Sequence, residues 1–84
     1  MKPILPITDY LILKHLSKHK SMLRKTLIEK MGVSKVSMHL SIMRLILSGC
    51  VNVYYLTGRG QPTEIVITPF GKSLYQVLVT QFNE

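Results

Sequence analysis

The spacing of apolar residues changes at Gly49, and this change constrains the fold more than any other feature of the sequence. Before Gly49, apolar residues recur every three or four positions, as on one face of an α-helix. After it, residues 50–57 and 63–68 are rich in Val, Ile and Tyr and tend to alternate, which is typical of β-strands. The glycine-containing segment 58–61 between them indicates a turn. The sequence therefore predicts an α+β protein in which helices precede a hairpin.

Three helices are predicted in the first part of the chain and a fourth at its end. Their expected spans are about 8–20, 22–31, 34–48 and 69–82. A hydroxyl residue that can cap a helix stands at or before each start: Thr8, Ser21, Ser34 and Thr68. Pro69 supports the last start, because proline fits the first helical position. The whole chain, 1–84, is interpreted as one domain with a two-stranded hairpin over about 50–68.

Basic residues are in excess and clustered. The chain has 11 Lys+Arg against 4 Asp+Glu, a net charge of +7. Seven of the cations lie within 22 residues, opposed there only by Glu29: Lys14, Lys18, Lys20, Arg24, Lys25, Lys30 and Lys35. Such clustering favours a surface that faces a polyanion, since cations attract phosphate backbones through counterion release. The alternative is an ordinary solvated face.

The apolar content favours a partner for the protein. Hydrophobic residues make up 46% of a chain of only 84 residues. A chain this short buries only part of its surface, so oligomerisation is an option, and we expect a second copy to cover the surplus.

Catalysis and metal binding are not expected. His15 and His19 have the i, i+4 spacing of a helical metal pair, but no acid or cysteine nearby completes a set. We expect these histidines to pack or to contact phosphate. The acidic residues are scattered, which argues against acid–base chemistry. The sequence therefore predicts no enzyme, no cofactor and no metal site.

The single cysteine bears on location. Cys50 cannot form an intrachain disulfide and fits a reducing compartment, and we expect it to be buried and inert. No stretch of 18 apolar residues occurs, and the N-terminus lacks the layout of a signal peptide. A cytoplasmic location is expected, associated with the nucleoid if the protein binds DNA.

Residues 26–51, TLIEKMGVSKVSMHLSIMRLILSGCV, resemble the helix-turn-helix of winged-helix DNA-binding proteins. The matching residues are Leu27, Ile28, Met31, Gly32, Val33, Ser34, Leu45, Gly49 and Val51. Gly32 allows the positive φ that the turn requires. The resemblance implies that the third helix is a recognition helix, whose inner face would be buried through Met38, Ile42 and Leu45.

Residues 58–62, GRGQP, followed by ITPFGKSL, resemble the wing and the next helix start of MarR-like and PadR-like regulators. The implied fold is a winged helix-turn-helix with three helices, a two-stranded β-hairpin wing and a C-terminal helix. Arg59 stands where such wings carry a basic tip that enters the minor groove or touches phosphate. An exposed arginine on a hairpin without such a role is the alternative.

The resemblance implies sequence-specific binding to double-stranded DNA by a small homodimeric transcription regulator. The third helix would enter the major groove, with Arg59 on the minor groove or backbone. The other expected DNA contacts are Ser34, Lys35, Val36, Ser37, His39, Leu40 and Arg44 on the third helix, and Lys18, Lys20, Arg24 and Lys25 on phosphates.

Apolar residues on the outer face of the third helix leave an alternative open. Val36, Leu40, Met43 and Leu47 form a stripe opposite the predicted inner face. A protein-binding adaptor or inhibitor could use Leu40, Met43 and Leu47 to bind a protein partner. A third hypothesis is single-stranded nucleic acid or RNA stacking on Tyr54 and Tyr55.

The last helix carries two apolar stripes. The sequence assigns Phe70, Leu74, Val77 and Leu78 to the core. The second stripe, Tyr75, Val79 and Phe82, is predicted to form the dimer interface, with packing over the first helix as the alternative.

Overall fold

The computed structural model describes residues 6–55 and 63–82, with side chains up to Thr80. Four helices and three strands follow one another: α1 (Ile7–His19), β1 (Ser21–Leu23), α2 (Arg24–Met31), α3 (Lys35–Leu47), β2 (Val51–Tyr55), β3 (Thr63–Ile67) and α4 (Pro69–Phe82). The tip of the predicted wing lies outside the described residues.

The three strands form one antiparallel sheet with the order β1-β3-β2. In its register Ser21 pairs with Val66, and Val51 pairs with Ile67. Strand β1 was not predicted from the sequence. The prediction that Ser21 caps the second helix is wrong, because Ser21 is a residue of β1 and its hydroxyl donates to Glu64 Oε2 of β3 at 3.1 Å.

The starts of α1 and α2 differ from the predicted ones. Helix α2 begins after Leu23, and α1 begins after Pro6, and neither residue makes a side-chain cap. Thr8 is therefore a residue of the first turn of α1 and not its cap. Packing of their apolar faces, more than capping, stabilises helices of this kind.

The turn between α2 and α3 is built as predicted. Gly32 has φ 66°, a left-handed conformation that glycine adopts without steric cost, and its N–H donates to the carbonyl of Ile28. Ser34 then caps α3, since its Oγ accepts the N–H of Ser37 at 3.1 Å.

The Thr-Pro-Phe-Gly segment attaches α4 to the end of the helix-turn-helix. The Oγ1 of Thr68 accepts the N–H of Gly71 at 2.9 Å, and its hydroxyl donates to the carbonyl of Gly49 at 2.6 Å. A Cβ at Gly71 would clash with the carbonyl oxygen of Cys50 and crowd Ile67. The cap predicted at Thr68 is confirmed, and Gly71 permits a close backbone approach.

The core lies between the helices and one face of the sheet. It contains the predicted inner face of α3, Met38, Ile42 and Leu45, and the buried Cys50. Its members are Tyr10, Ile12, Leu13, Leu16, Leu27, Met38, Ile42, Leu45, Cys50, Val51, Ile65, Ile67 and Leu78.

Helix α4 buries a different face from the predicted one. Phe70 and Val77, assigned to the core from the sequence, are each 55% exposed. Tyr75, assigned to the dimer interface, packs against the core, and its ring lies 5.7 Å from that of Tyr10 in α1. The helix is therefore rotated relative to the prediction, although Leu78 is buried as expected.

Candidate nucleic-acid interface

The outer face of α3 is an apolar surface open to solvent. Its four residues recur at positions i, i+4, i+7 and i+11 of one helix, directly opposite the buried inner face. They are Val36 (69% exposed), Leu40 (52%), Met43 (43%) and Leu47 (82%). We call this set the outer stripe. Its exposure agrees with the pattern predicted from the sequence.

Polar and basic side chains border the outer stripe at the N-terminal end of α3. Lys35, Ser37 and His39 are exposed there, next to the capping residue Ser34. Because Cβ positions differ by 100° per residue, Lys35 and His39 lie on one side of the stripe and Ser37 on the other. All four residues were predicted DNA contacts, and the structure brings them together around one end of the helix.

Arg44 has a different environment from the predicted one. It was expected to contact phosphate or a base, but its guanidinium makes two hydrogen bonds to the buried carboxylate of Asp9, at 2.9 and 2.8 Å. Its Nη2 also donates to Ser41 Oγ at 3.1 Å. The hydrogen bonds that Arg44 donates to Asp9 raise the pKa of the guanidinium. The residue holds α3 against α1.

Arg24 lies beside the N-terminal end of α3. Its Nη2 is 3.5 Å from the carbonyl oxygen of Lys35. Among the described residues, its Nε is the one buried side-chain nitrogen or oxygen without a hydrogen-bond partner. A buried donor of this kind needs an acceptor, which an ordered water can supply.

A groove runs between α3 and the sheet, next to Arg24. It is open to solvent and mixes polar and apolar walls. Its lining is Arg24, His39, Ile42, Met43, Ile46, Val53, Tyr55, Thr63 and Ile65. Ile46 was not predicted from the sequence, although its place two turns after His39 on the same side of the helix could have suggested it.

The predicted phosphate contacts in α1 do not share the α3 surface. Lys18 is nine positions after Asp9, which puts them on opposite sides of α1 at 100° per residue. Asp9 faces α3, so Lys18 points away from it. Lys20 follows α1 with φ 67°, and its carbonyl accepts the N–H of Ile67 in β3. Lys25 of α2 is exposed.

His15 and His19 lie on α1 apart from the outer stripe. His15 is half-buried and His19 is exposed. Burial lowers the pKa of His15, and the positive charges of Lys30, Lys18, His19 and Lys14 lower it further. The described residues contain no group of three or more His, Cys, Asp and Glu side chains suited to a metal ion.

The remaining predicted site residues divide between described and undescribed parts of the chain. Arg59 lies outside the described residues, and so does the side chain of Phe82. Val79 is half-buried on α4. Tyr54 and Tyr55 of β2 are 52% and 81% exposed.

In the described ranges, none of the helices has the length and apolar character needed to cross a membrane.

Sequence comparisons found neither a matching family model nor a matching curated protein. Solved structures do match. A transcriptional regulator homologue from Pyrococcus horikoshii OT3 superposes with a TM-score of 0.84 at 16% identity, over 92% of this chain and 77% of its own. A MepR-like protein complexed with pseudoligands gives a TM-score of 0.80 at 27% identity, over 90% of this chain and 54% of its own. Overoxidized AbfR bound to DNA gives 0.80 at 17% identity, covering 90% and 56%.

The fold is therefore a winged helix-turn-helix, and the predicted fold class is confirmed. The matching structures are winged-helix transcriptional regulators of the MarR family. The chain spans little more than half the length of the MepR-like protein and of AbfR. Its α2 and α3 correspond to the helix-turn-helix, and β2 and β3 to the two strands of the wing.

Proposed function

We propose that the protein binds double-stranded DNA sequence-specifically, as a homodimeric transcription regulator, with α3 in the major groove. The observation that carries this proposal is the open outer stripe of α3, bordered by Lys35 and His39. A major groove is wide enough to admit an α-helix, and apolar side chains there can contact thymine methyl groups. Winged-helix neighbours include a protein solved with DNA, which supports the same use of the fold.

The roles of individual residues follow from their positions. Val36 and Leu40 would contact base edges, since they lie on the outer face of the N-terminal half of α3. Arg24 would contact a phosphate through its guanidinium, which lies beside the N-terminal end of α3. Arg44 would act indirectly, by holding the helix through Asp9. Arg59 would contact the minor groove or the backbone from the wing.

Homodimerisation is proposed through α4, on a face different from the one the sequence suggested. Phe70, Leu74 and Val77 lie on one side of the helix, and the first and last of them are each 55% exposed. A second copy would cover this face and place two α3 helices about 34 Å apart, the spacing of half-sites one DNA turn apart.

The first test is a selection of bound sequences from random duplexes, followed by fluorescence anisotropy over a salt series. We expect a preferred sequence and a steep loss of affinity with salt. Because a homodimer carries two copies of Lys35, Lys35→Gln should reduce the slope of log K against log salt by about 2. Lys72→Gln, an exposed lysine of α4, is the matched control and should leave that slope unchanged. Absence of binding to any duplex at low salt would refute the proposal.

One observation favours a second candidate function. The outer stripe is apolar along nearly the whole of α3, whereas direct readout of bases is usually carried by polar side chains. A protein-binding adaptor would use Leu40, Met43 and Leu47 against an apolar surface of a partner. A stable dimer without DNA affinity at low salt would support this function instead.

A further inference from the structure

A second group of basic side chains lies on α1 and α2, away from the outer stripe. It consists of His15, Lys18 and His19 of α1 and Lys30 of α2, which we call the back cluster. Lys18, His19 and Lys30 are exposed, and His15 is half-buried. The proposed DNA-reading surface does not use these residues.

The position of the back cluster follows from the geometry of α1. The buried side chains of this helix, among them Asp9 and Leu16, face the core and α3. Lys18 is directly opposite Asp9, and His15 and His19 are one turn apart beside it. Helix α2 packs against α1, and the positive charge of Lys30 on α2 lowers the pKa of His15. The four groups therefore form one surface, which extends from the side of α1 opposite Asp9 along one flank of this helix.

The basic groups of the back cluster repel one another. Burial lowers the pKa of His15 first, and then Lys30, Lys18, His19 and Lys14 each lower it further. An anion bound among these side chains would offset the repulsion and favour protonation of His15. The positive charges of this surface therefore repel one another, and a bound polyanion would reduce that repulsion.

The chemistry of the surroundings restricts the kind of polyanion. The large apolar side chains that are exposed in the described ranges include none between positions 8 and 35. Insertion into a membrane surface or docking of an amphipathic peptide requires apolar contacts near the cations. A purely electrostatic surface suits a phosphate backbone, which is bound without reading sequence.

We propose that the back cluster binds the phosphate backbone of a second DNA duplex, so that one protein molecule holds two DNA segments. This inference rests on the proposed function for the first segment. The α3 surface would select a sequence, and the back cluster would hold any neighbouring duplex.

A two-duplex capture experiment tests the proposal. A biotinylated duplex carrying the selected sequence is immobilised with the protein, and a fluorescent duplex of unrelated sequence is added. The wild type should retain the second duplex, in a salt-sensitive manner. The double variant Lys18→Gln with Lys30→Gln should bind the first duplex as the wild type does and capture about tenfold less of the second. Lys72→Gln is the control and should behave as the wild type.

Two results of this experiment would contradict the proposal. If the double variant captures the second duplex normally, the two segments are held by α3 surfaces of two copies, and the proposal is wrong. It is also wrong if the double variant loses affinity for the immobilised duplex as strongly as Lys35→Gln does, because the two surfaces would then be one.

The NMR titration of His15 separates this proposal from the proposed function. Excess unrelated duplex should raise the pKa of His15, even when Lys35→Gln and Leu40→Ala remove selective binding. A rise in these variants without any selective binding by the wild type would refute the proposed function and leave the back cluster as a DNA surface. An unchanged His15 pKa, or a rise produced only by phosphatidylserine-containing vesicles, would overturn the back-cluster proposal.

Discussion

Arg44 of α3 and Asp9 of α1 form a bidentate ion pair, with hydrogen bonds of 2.9 and 2.8 Å. The Asp9 side chain is fully buried, whereas the Arg44 side chain is 47% exposed. The pair joins the first helix to the last turn of α3, and it lies at the border between the core and the outer stripe. It therefore fixes the rotation of α3 about its own axis, which decides the side chains that face outward.

Removing one partner of this pair should destabilise the protein more than removing both. Arg44→Met leaves the buried Asp9 carboxylate without its partner, and such a charge is costly. The double variant Asp9→Leu with Arg44→Met has no buried charge and should recover much of the lost stability. Urea unfolding of the single and double variants measures the difference. A single variant as stable as the wild type would show that the pair does not hold α3.

Gly71 should not tolerate a methyl group. Its Cβ would meet the carbonyl oxygen of Cys50, which also accepts the N–H of Thr68 and therefore cannot move freely. Gly71→Ala should reduce the free energy of unfolding by about 1–3 kcal/mol, as in other overpacked sites. Ser73→Ala, an exposed position of the same helix, is the control and should change it little. Equal stabilities of both variants in urea would contradict the close approach of α4 to Cys50.

The exposed face of α4 should control assembly. Val77→Lys places a charge in the proposed dimer interface, and because Val77 is 55% exposed the fold should survive. We expect sedimentation equilibrium to show a monomer for Val77→Lys and a dimer for both the wild type and the control Gln76→Lys. A dimer that persists in Val77→Lys would place the interface elsewhere.

The stability of the protein should depend on the protonation of His15. Its pKa is lowered in the folded protein, so the unfolded chain takes up a proton at higher pH than the folded protein does. The contribution of neutral His15 to the stability is therefore fully present above the unfolded pKa of about 6.5. It is lost as the pH falls through and below that value. His15→Gln should lose less stability than the wild type between about pH 7.5 and pH 5. Parallel losses in urea unfolding would show that His15 titrates alike in both states.

Local signals in the sequence predicted much of the fold. The periodicity of α3 and the residues Gly32 and Ser34 locate the helix-turn-helix, because helix caps and left-handed turns depend on neighbouring residues only. Strand β1 was missed for the opposite reason. Its three residues have no period of their own, and they are a strand because Ser21 to Leu23 pair with β3, more than 40 positions away.

The candidate site was harder to predict than the fold. Helix α4 has two apolar stripes, and the sequence does not tell which of them meets α1; the ring contact between Tyr75 and Tyr10 decides it. Arg44 was assigned to DNA because an arginine on a recognition helix suggests phosphate contact. Its buried partner Asp9 lies 35 positions earlier, and no local pattern links the two.

Methyl NMR spectroscopy of the protein with the selected duplex tests the central claim most directly, namely that the outer face of α3 contacts DNA bases. We expect the methyl resonances of Val36 and Leu40 to shift on addition of the duplex and to show nuclear Overhauser effects to thymine methyl groups. Methyl groups of the buried Leu13 and Leu16 should shift little. Unchanged Val36 and Leu40 resonances at saturating duplex, with shifts confined to α1 or α4, would contradict the claim.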